Sequence, residues 1–296
     1  MLRTIIRAWA VALAWTLVLT ITSPTYARTS HSSVVSPSGV SLPACGTYAD
    51  VITPLAAYSD WKSVLVDTTY MVPGSYVPPD LVSLTKAHIG GTGKVRSVMI
   101  DDLAAMAAAA KTAGNPIAVE SPYRSYASQA SVFNGWVNFY NGNRGKAQMV
   151  SARPGHSEHQ LGLAIDFKTA GGRPPWTYTN WATTSAGKWM RNYAWQYGFV
   201  LSYPKDATGL TCYGYEPWHY RYFGREQAAA MRASGLTTRE YLWTQGSGDI
   251  SPSPTPTPSP TPTPSPTPTP SPTPSPTSSP SSTSTPSPMP TSSPTP

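Results

Sequence analysis

Apolar residues recur along this chain at two spacings, and they predict a run of helices mixed with short strands. Residues 97–113 set Ile100, Leu103, Met106 and Ala107 on one face of an Ala-rich segment, the period of a helix, with Gly114 as its stop. Residues 126–140 predict a second helix, capped by Ser125 and broken at Asn141-Gly142-Asn143. Residues 184–197 carry Trp189, Tyr193 and Gln196 at helical spacing and close at Gly198. Residues 225–233 predict another helix, and Thr237-x-x-Glu240 is a capping box for a last short one. Strands are predicted at Ile117-Ala118-Val119-Glu120, 161–167, 199–202 and 218–222. These elements have no βαβ rhythm and no Gly-rich phosphate loop. The expected fold class is therefore α+β, a small antiparallel sheet flanked by helices, rather than a doubly wound sheet. Residues 28–65 are rich in Ser, Pro and Ala with little period, and they predict an extension wrapped over the surface of a domain spanning 66–245.

The two ends read differently. Arg3 and Arg7 precede an apolar run over 8–21 interrupted only by Thr16 and Thr20, and Thr25-Tyr26-Ala27 offers a small-x-small cleavage site. Residues 1–27 are therefore expected to be an export signal. The run is short for the ~20 residues that span a bilayer, so no membrane insertion is expected after cleavage. At the other end, 246–296 is a tail dominated from Ser251 by Ser-Pro and Thr-Pro, holding 19 of the 33 prolines. Alternating Pro excludes helix and favours extended, solvated chain, so the tail is expected to have no fixed fold. It could act as a spacer through a cell wall or simply as a solvated end. The net charge of +7 falls to +5 without Arg3 and Arg7, and the Lys and Arg never cluster. That is no nucleic-acid footprint; it suits a polyanionic cell envelope. Cys45 and Cys212 are the only cysteines, and an exported chain meets oxidising conditions, so a bridge between them is expected, with two free thiols as the alternative. Two cysteines cannot build a four-cysteine zinc site.

Chemistry concentrates in two polar-aromatic segments, Ser151 to Asp166 and Glu216-Pro217-Trp218-His219. A catalytic zinc needs about three N/O ligands and one open position. His159 and Asp166 can supply two, because a turn at Gly162 followed by a strand folds Asp166 back beside His159. His219 can supply a third from a neighbouring strand. Glu216 is then a free carboxylate near the metal, able to take a proton from an attacking water and pass it to a leaving amine. Taken singly, a His beside Gly and Leu is more often a core or surface residue than a ligand, and an Asp ending a strand is more often a turn residue.

Together the segments carry a resemblance. Ser157-x-His159-x-x-Gly162-x-Ala164-x-Asp166 with Glu216-x-Trp218-His219 resembles the paired signatures of the VanY-type zinc D-alanyl-D-alanine carboxypeptidases, whose fold is shared with zinc D,D-peptidases and the Hedgehog signalling domain. Tyr70 to Val82, Ser121-Pro122-Tyr123-Arg124-Ser125 through Gln129, and Ser151 to Gly155 are similar to further family blocks in the same order. Pro122 departs from the usual Gly and is expected to stiffen the turn without touching a ligand. The resemblance covers about 170 residues. It implies that His159, Asp166 and His219 hold one Zn2+, that Glu216 is the acid/base, and that Arg124 faces the scissile carbonyl, where a fixed guanidinium can steady an oxyanion. It makes Ser157 and Gln129 substrate-side positions, with turn-shaping and helix packing as their alternatives. Trp218 is expected to wall the pocket and fix His219. His156 is expected at the rim, and His31 and His88 as bystanders.

The function implied is a secreted zinc carboxypeptidase that removes the terminal D-residue from peptidoglycan stem peptides. Cleavage of D-Ala-D-Ala is the leading form, beside L,D-carboxypeptidase or D,D-endopeptidase action on the same substrate. A wall-binding module with a non-catalytic zinc is the reading from another class, opposed by the presence of both Glu216 and Arg124. A glycosidase would need two facing carboxylates, and no pairing of Glu158 with Glu216 is apparent in the sequence. No feature of the sequence sets the oligomeric state.

Overall fold

The computed structural model describes residues 33–46 and 48–247, so the expected signal over 1–27 and the repeat over 251–296 lie outside the described residues. In chain order, β1 (Ser33–Val35) and β2 (Ser41–Pro43) form a hairpin with Val34 opposite Leu42. β3 (Val51–Ile52) pairs in parallel with β4 (Tyr70–Met71), and β5 (Leu81–Ser83) pairs antiparallel with β6 (Lys94–Arg96). Strands of two or three residues are too short to impose a period on the sequence, which is why residues 28–65 read as featureless. Their apolar residues nevertheless enter the interior: Leu42, Val64 and Leu65 are buried. A Cys45–Cys212 disulfide ties this stretch to the rest, and Arg239 adds a hydrogen bond to the Pro43 carbonyl at 3.1 Å.

α1 (Ile100–Thr112) buries Leu103, Met106 and Ala110. It begins three residues later than the periodicity predicts, because Ser97–Met99 winds as a 3-10 turn and both the Ser97 amide and hydroxyl are drawn to Asp80. β7 (Ile117–Ser121) follows, then α2 (Tyr126–Phe139), whose first turn is capped by Ser125 Oγ accepting from the Ser128 amide. α3 (Arg144–Gln148) leads to a 3-10 turn at Glu158–Leu161 and to β8 (Ala164–Thr169). The predicted strand over 161–167 thus loses its first three residues. Gly162 adopts φ +69°, and its Cβ, if it had one, would meet Arg96 Cγ and Leu81 Cδ2 at 3.0 Å; the chain turns there and pairs only afterwards.

α4 (Ser185–Tyr193) passes into a 3-10 turn at Ala194–Tyr197, then β9 (Phe199–Leu201), α5 (Thr208–Thr211), β10 (His219–Tyr222) and α6 (Arg225–Ser234). α7 (Thr238–Ser247) starts at the expected capping box, with the Thr237 amide donating to Glu240 Oε2 at 2.8 Å and the Glu240 amide to Thr237 Oγ1 at 3.3 Å.

β7, β8, β10 and β9 lie side by side in that order, every neighbouring pair antiparallel. Alternation gives this sheet two faces. Ile165 and Phe167 of β8 and Tyr220 and Tyr222 of β10 pack into one core cluster with Leu103, Met106, Trp189 and Met190 from the helices. Burying a side chain such as Phe167 contributes on the order of 1.5–3 kcal/mol. Asp166, His219 and Arg221 alternate with these apolar residues, and all three are buried. The α+β class with a small antiparallel sheet is as the pattern predicts. Among the described residues no helix is long and apolar enough to cross a membrane.

Candidate metal centre

Sheet register assembles the site. Asp166 on β8 stands directly opposite His219 on β10, and a bulge in β7 between Val119 and Ser121 brings Ser121 opposite Asp166 on the other side. His159 enters from the 3-10 turn, which is capped at its start by Ser157 Oγ accepting from the His159 amide. The left-handed Gly162 then reverses the chain so that β8 runs back past His159.

The three side chains converge. His159, Asp166 and His219 each offer one ligand atom, all within 4.8 Å of one another and all buried. His159 Nε2 is 3.3 Å from Asp166 Oδ2 and makes no hydrogen bond, and His219 Nδ1 is 3.0 Å from Asp166 Oδ1. A buried imidazole nitrogen without a hydrogen bond, aimed at a carboxylate and a second imidazole, is what a cation between them would satisfy. Two nitrogens and one carboxylate oxygen suit zinc and leave a coordination position for water or substrate.

The other nitrogen of each imidazole is tied down, which fixes ring orientation and selects the nitrogen facing the centre. His159 Nδ1 donates to the Pro122 carbonyl at 2.8 Å. Pro122, expected to touch no ligand, therefore does so, but through a backbone oxygen that any residue supplies. His219 Nε2 donates to Glu158 Oε2 at 2.9 Å, and Glu158 also accepts from Ser202 Oγ at 2.6 Å and Arg221 at 3.1 Å. Glu158 is thus an orienting carboxylate, not half of a glycosidase pair. Its sequence signal was only its place beside His159; its partners lie 44, 61 and 63 residues away.

Charges follow the contacts. Burial would raise the Glu158 carboxyl, yet hydrogen bonding to His219 and the Arg221 charge hold it down at about 2. Burial works against the His219 imidazolium, but hydrogen bonds to Asp166 and Glu158 outweigh it and push the metal-free group up to about 10. Burial and the Arg124 charge bring His159 down to about 4, so it stands neutral as a ligand must. Asp166 stays ionised: burial is overcome by the two imidazoles.

Glu216 lies just outside the trio, its Oε2 3.7 Å from His219 Nδ1 and its side chain 20% exposed. Burial, aided by the charges of Asp166 and Glu158, lifts its carboxyl to about 7 in the metal-free arrangement, opposed by His219 and Arg124. Arg124 reaches in from the turn before α2, with Nη1 3.6 Å from Asp166 Oδ2 and 2.7 Å from Ser121 Oγ, and Nε donating to Gln129 Oε1 at 2.9 Å. Gln129 is fully buried, and its amide nitrogen donates to Ser151 Oγ and the Ala152 carbonyl. Ser157 is likewise buried in its capping role. Trp218 is half-buried, stands edge-on to the half-exposed Trp176 at 6.2 Å, and gives its carbonyl to the Phe167 amide at 2.9 Å. His156 is not at a rim: it is 1% exposed, held by the Asp67 carbonyl and Asp50. His88 is exposed on a left-handed turn and is not a member of this group.

Fold and donor set together define a candidate single-metal centre on a small antiparallel sheet, with a carboxylate and a guanidinium at its edge. A family model described as VanY, D-alanyl-D-alanine carboxypeptidase, matches residues 92–225. The putative carboxypeptidase YodJ of Bacillus subtilis (strain 168) is 39% identical over 185 residues, which are 60% of this chain and 66% of that protein. The LdcB LD-carboxypeptidase structure is 37% identical, with a TM-score of 0.54 over 60% of this chain and 84% of LdcB. A VanY vancomycin-resistance D,D-pentapeptidase solved with Zn(II) is 29% identical, with a TM-score of 0.52 over 62% of this chain and 99% of that one. The chain belongs to the VanY family of zinc D-alanyl-D-alanine carboxypeptidases.

Proposed function

We propose that this protein is an exported D,D-carboxypeptidase that removes the terminal D-alanine from peptidoglycan stem peptides. The observation that carries this reading is the convergence of His159, Asp166 and His219, with Glu216 and Arg124 beside it. In this reading those three residues hold zinc, which when bound supplies a Lewis acid that polarises the scissile carbonyl and lowers the pKa of a water. Glu216, whose carboxyl burial lifts to about 7 before metal binds, takes the proton of the attacking water and returns it to the departing amine nitrogen. Arg124, held on two sides by Ser121 and Gln129, presents its guanidinium to the developing oxyanion. Gln129 serves the site by orienting Arg124, and Ser157 by setting the turn that carries His159. Trp218 and Trp176 form an aromatic wall.

Export is supported by the pattern over 1–27, by the disulfide, which suits an oxidising compartment, and by a family that works on the cell wall. In this reading the peptidase domain is 66–245, with 28–65 as an extension and 246–296 as a Ser/Thr/Pro-rich tail. The similarity to an LD-carboxypeptidase supports a second reading, removal of the D-residue from a tetrapeptide stem.

The test incubates the zinc-loaded protein with pentapeptide and tetrapeptide stems, with and without chelator, and reads the products by mass spectrometry. Release of one D-alanine from the pentapeptide, abolished by chelator, is the expected result; preference for the tetrapeptide gives the L,D form. Glu216→Gln should keep its zinc and lose about 10²–10⁴-fold in kcat. A zinc-replete protein that cleaves neither stem nor cross-linked dimers would be a wall-binding module instead.

A further inference from the structure

Ser202 and Tyr203, the two residues that follow β9, meet the metal centre at four points. The Ser202 amide donates to the His219 carbonyl at 3.2 Å, and its hydroxyl donates to Glu158 Oε2 at 2.6 Å, the oxygen that accepts from His219 Nε2. The Tyr203 ring lies against the His219 imidazole, centroids 4.8 Å apart and planes inclined by 37°. The Tyr203 carbonyl accepts the Glu216 amide at 3.1 Å. One dipeptide thus holds the ligand's backbone, its orienting carboxylate and its ring face, and also the backbone of the acid/base.

The dipeptide is itself fixed from behind. Thr238 Oγ1 donates to the Ser202 carbonyl at 3.3 Å, and the Tyr213 ring packs on Tyr203 at 5.0 Å. Ser202 is fully buried and Tyr203 nearly so. The Tyr203 hydroxyl makes no hydrogen bond to protein among the described residues; Tyr203 lines a small internal cavity shared with Asp67, Glu158 and Tyr213. Its ring and its carbonyl, not its hydroxyl, make the contacts to the centre.

We infer that Ser202–Tyr203 is a positioning clamp that sets His219 and Glu216 at a fixed angle to each other, so that metal binding and proton transfer are adjusted together. Neither residue belongs to the converging trio, and neither is assigned a contact with substrate. The inference rests on the reading of His219 as a ligand and Glu216 as the acid/base.

Zinc Kd by chelator competition, the absorption spectrum of the Co(II)-substituted protein, and kcat and KM on the stem peptide test it. Tyr203→Leu should weaken zinc about tenfold, the usual scale for a group behind a ligand, shift the cobalt bands and lower kcat more than it changes KM. Tyr203→Phe, which keeps the ring, should restore the wild-type Kd and spectrum. Ser202→Ala should weaken zinc about tenfold through Glu158 alone. Wild-type zinc Kd and cobalt spectrum in Tyr203→Leu would overturn the clamp, as would a Tyr203→Phe protein as impaired as Tyr203→Leu. If Tyr203→Leu does not fold, Ser202→Ala decides, and an unchanged zinc Kd there overturns the proposal. His219→Ala separates the two levels. Zinc retained in that variant removes the ligand assignment itself, whereas zinc lost there but kept by Ser202→Ala and Tyr203→Leu removes only the clamp.

Discussion

Arg124 owes its place to Gln129, and the pair behaves as one unit. The Gln129 oxygen receives Arg124 Nε at 2.9 Å while its amide nitrogen is anchored to the Ala152 carbonyl at 2.7 Å, so the guanidinium is carried on a buried strut. Removing Arg124 should lower kcat by about 10²–10³-fold, as loss of an oxyanion donor does. Removing Gln129 should act only through Arg124, so that Arg124→Ala/Gln129→Ala is no slower than Arg124→Ala alone. Steady-state kinetics of the four proteins decides, and fully additive losses would give Gln129 a separate contact with substrate. At the metal ligands the proton is the competitor. In the metal-free protein burial disfavours the His219 imidazolium, but Asp166 and Glu158, accepting from its two nitrogens, stabilise it with a pKa raised to about 10. A raised His pKa means that the proton's contribution to folding is present below the ordinary value of about 6.5 and is lost as pH climbs towards 10. Zinc must displace that proton, so its affinity should rise at least about tenfold per pH unit between about pH 6 and 8, with at least one proton released per ion, because Glu216, raised to about 7 without metal, is also driven to ionise. His159, neutral above about 4, adds nothing to this slope. Chelator competition at several pH values measures it, and a flat profile would mean that His219 is already neutral without metal.

Elements place these residues through a few backbone decisions, the sharpest of them at Gly162. Its left-handed turn separates the 3-10 turn bearing His159 from the strand bearing Asp166, and its carbonyl accepts the Arg96 amide at 3.0 Å. Gly162→Ala puts a Cβ against Arg96 and Leu81 in a conformation that costs an L-residue about 1–2 kcal/mol before any crowding. The variant should therefore lose about 1–3 kcal/mol of stability and bind zinc more weakly, because the turn sets the spacing of two ligands. Thermal melts with and without zinc check this, and an unchanged melt and zinc affinity would show that the turn tolerates a side chain. That turn was legible in the sequence, as were the helix carrying Leu103 and Met106 and the Ser125 cap, because each is written in neighbouring residues. The convergence of the trio was legible for the same reason: His159 and Asp166 share one short motif, and Glu216 and His219 another. Glu158, Ser202 and Tyr203 were not, since their partners at the centre are 13 to 63 residues away and only the sheet register joins them. Gln129 showed its helix but not its direction; a polar residue at that spacing reads the same whether it points at substrate or holds an arginine.

At the scale of the whole molecule, the N-terminal stretch is bound to the catalytic half at both ends of a short segment. Cys45 is bridged to Cys212, 167 residues on, at the end of α5 and four residues before Glu216. Tyr213, the next residue, packs on Tyr203 and so links the bridge to the support behind His219. Beside it, Arg239 is fixed by Asp67, which accepts at 2.7 Å, and by the Leu210 carbonyl, and its bond to the Pro43 carbonyl crosses the same boundary. That bond and the buried Leu42 side chain hold the hairpin of β1 and β2 in place without the bridge, so Cys45→Ser/Cys212→Ser should still fold and still bind zinc. What the variant loses is the restraint on its unfolded chain, which for so long a loop is worth about 2–5 kcal/mol. In a domain of this size each kcal/mol shifts Tm by about 2–4 °C, so the loss should be plain in a thermal melt of the zinc-loaded protein. An unchanged Tm would mean that the unfolded chain gains little freedom when the bridge is cut. A protein that melts as expected but has also lost zinc would mean instead that the bridge holds the loop before Glu216, and with it Tyr203 and His219, in working register.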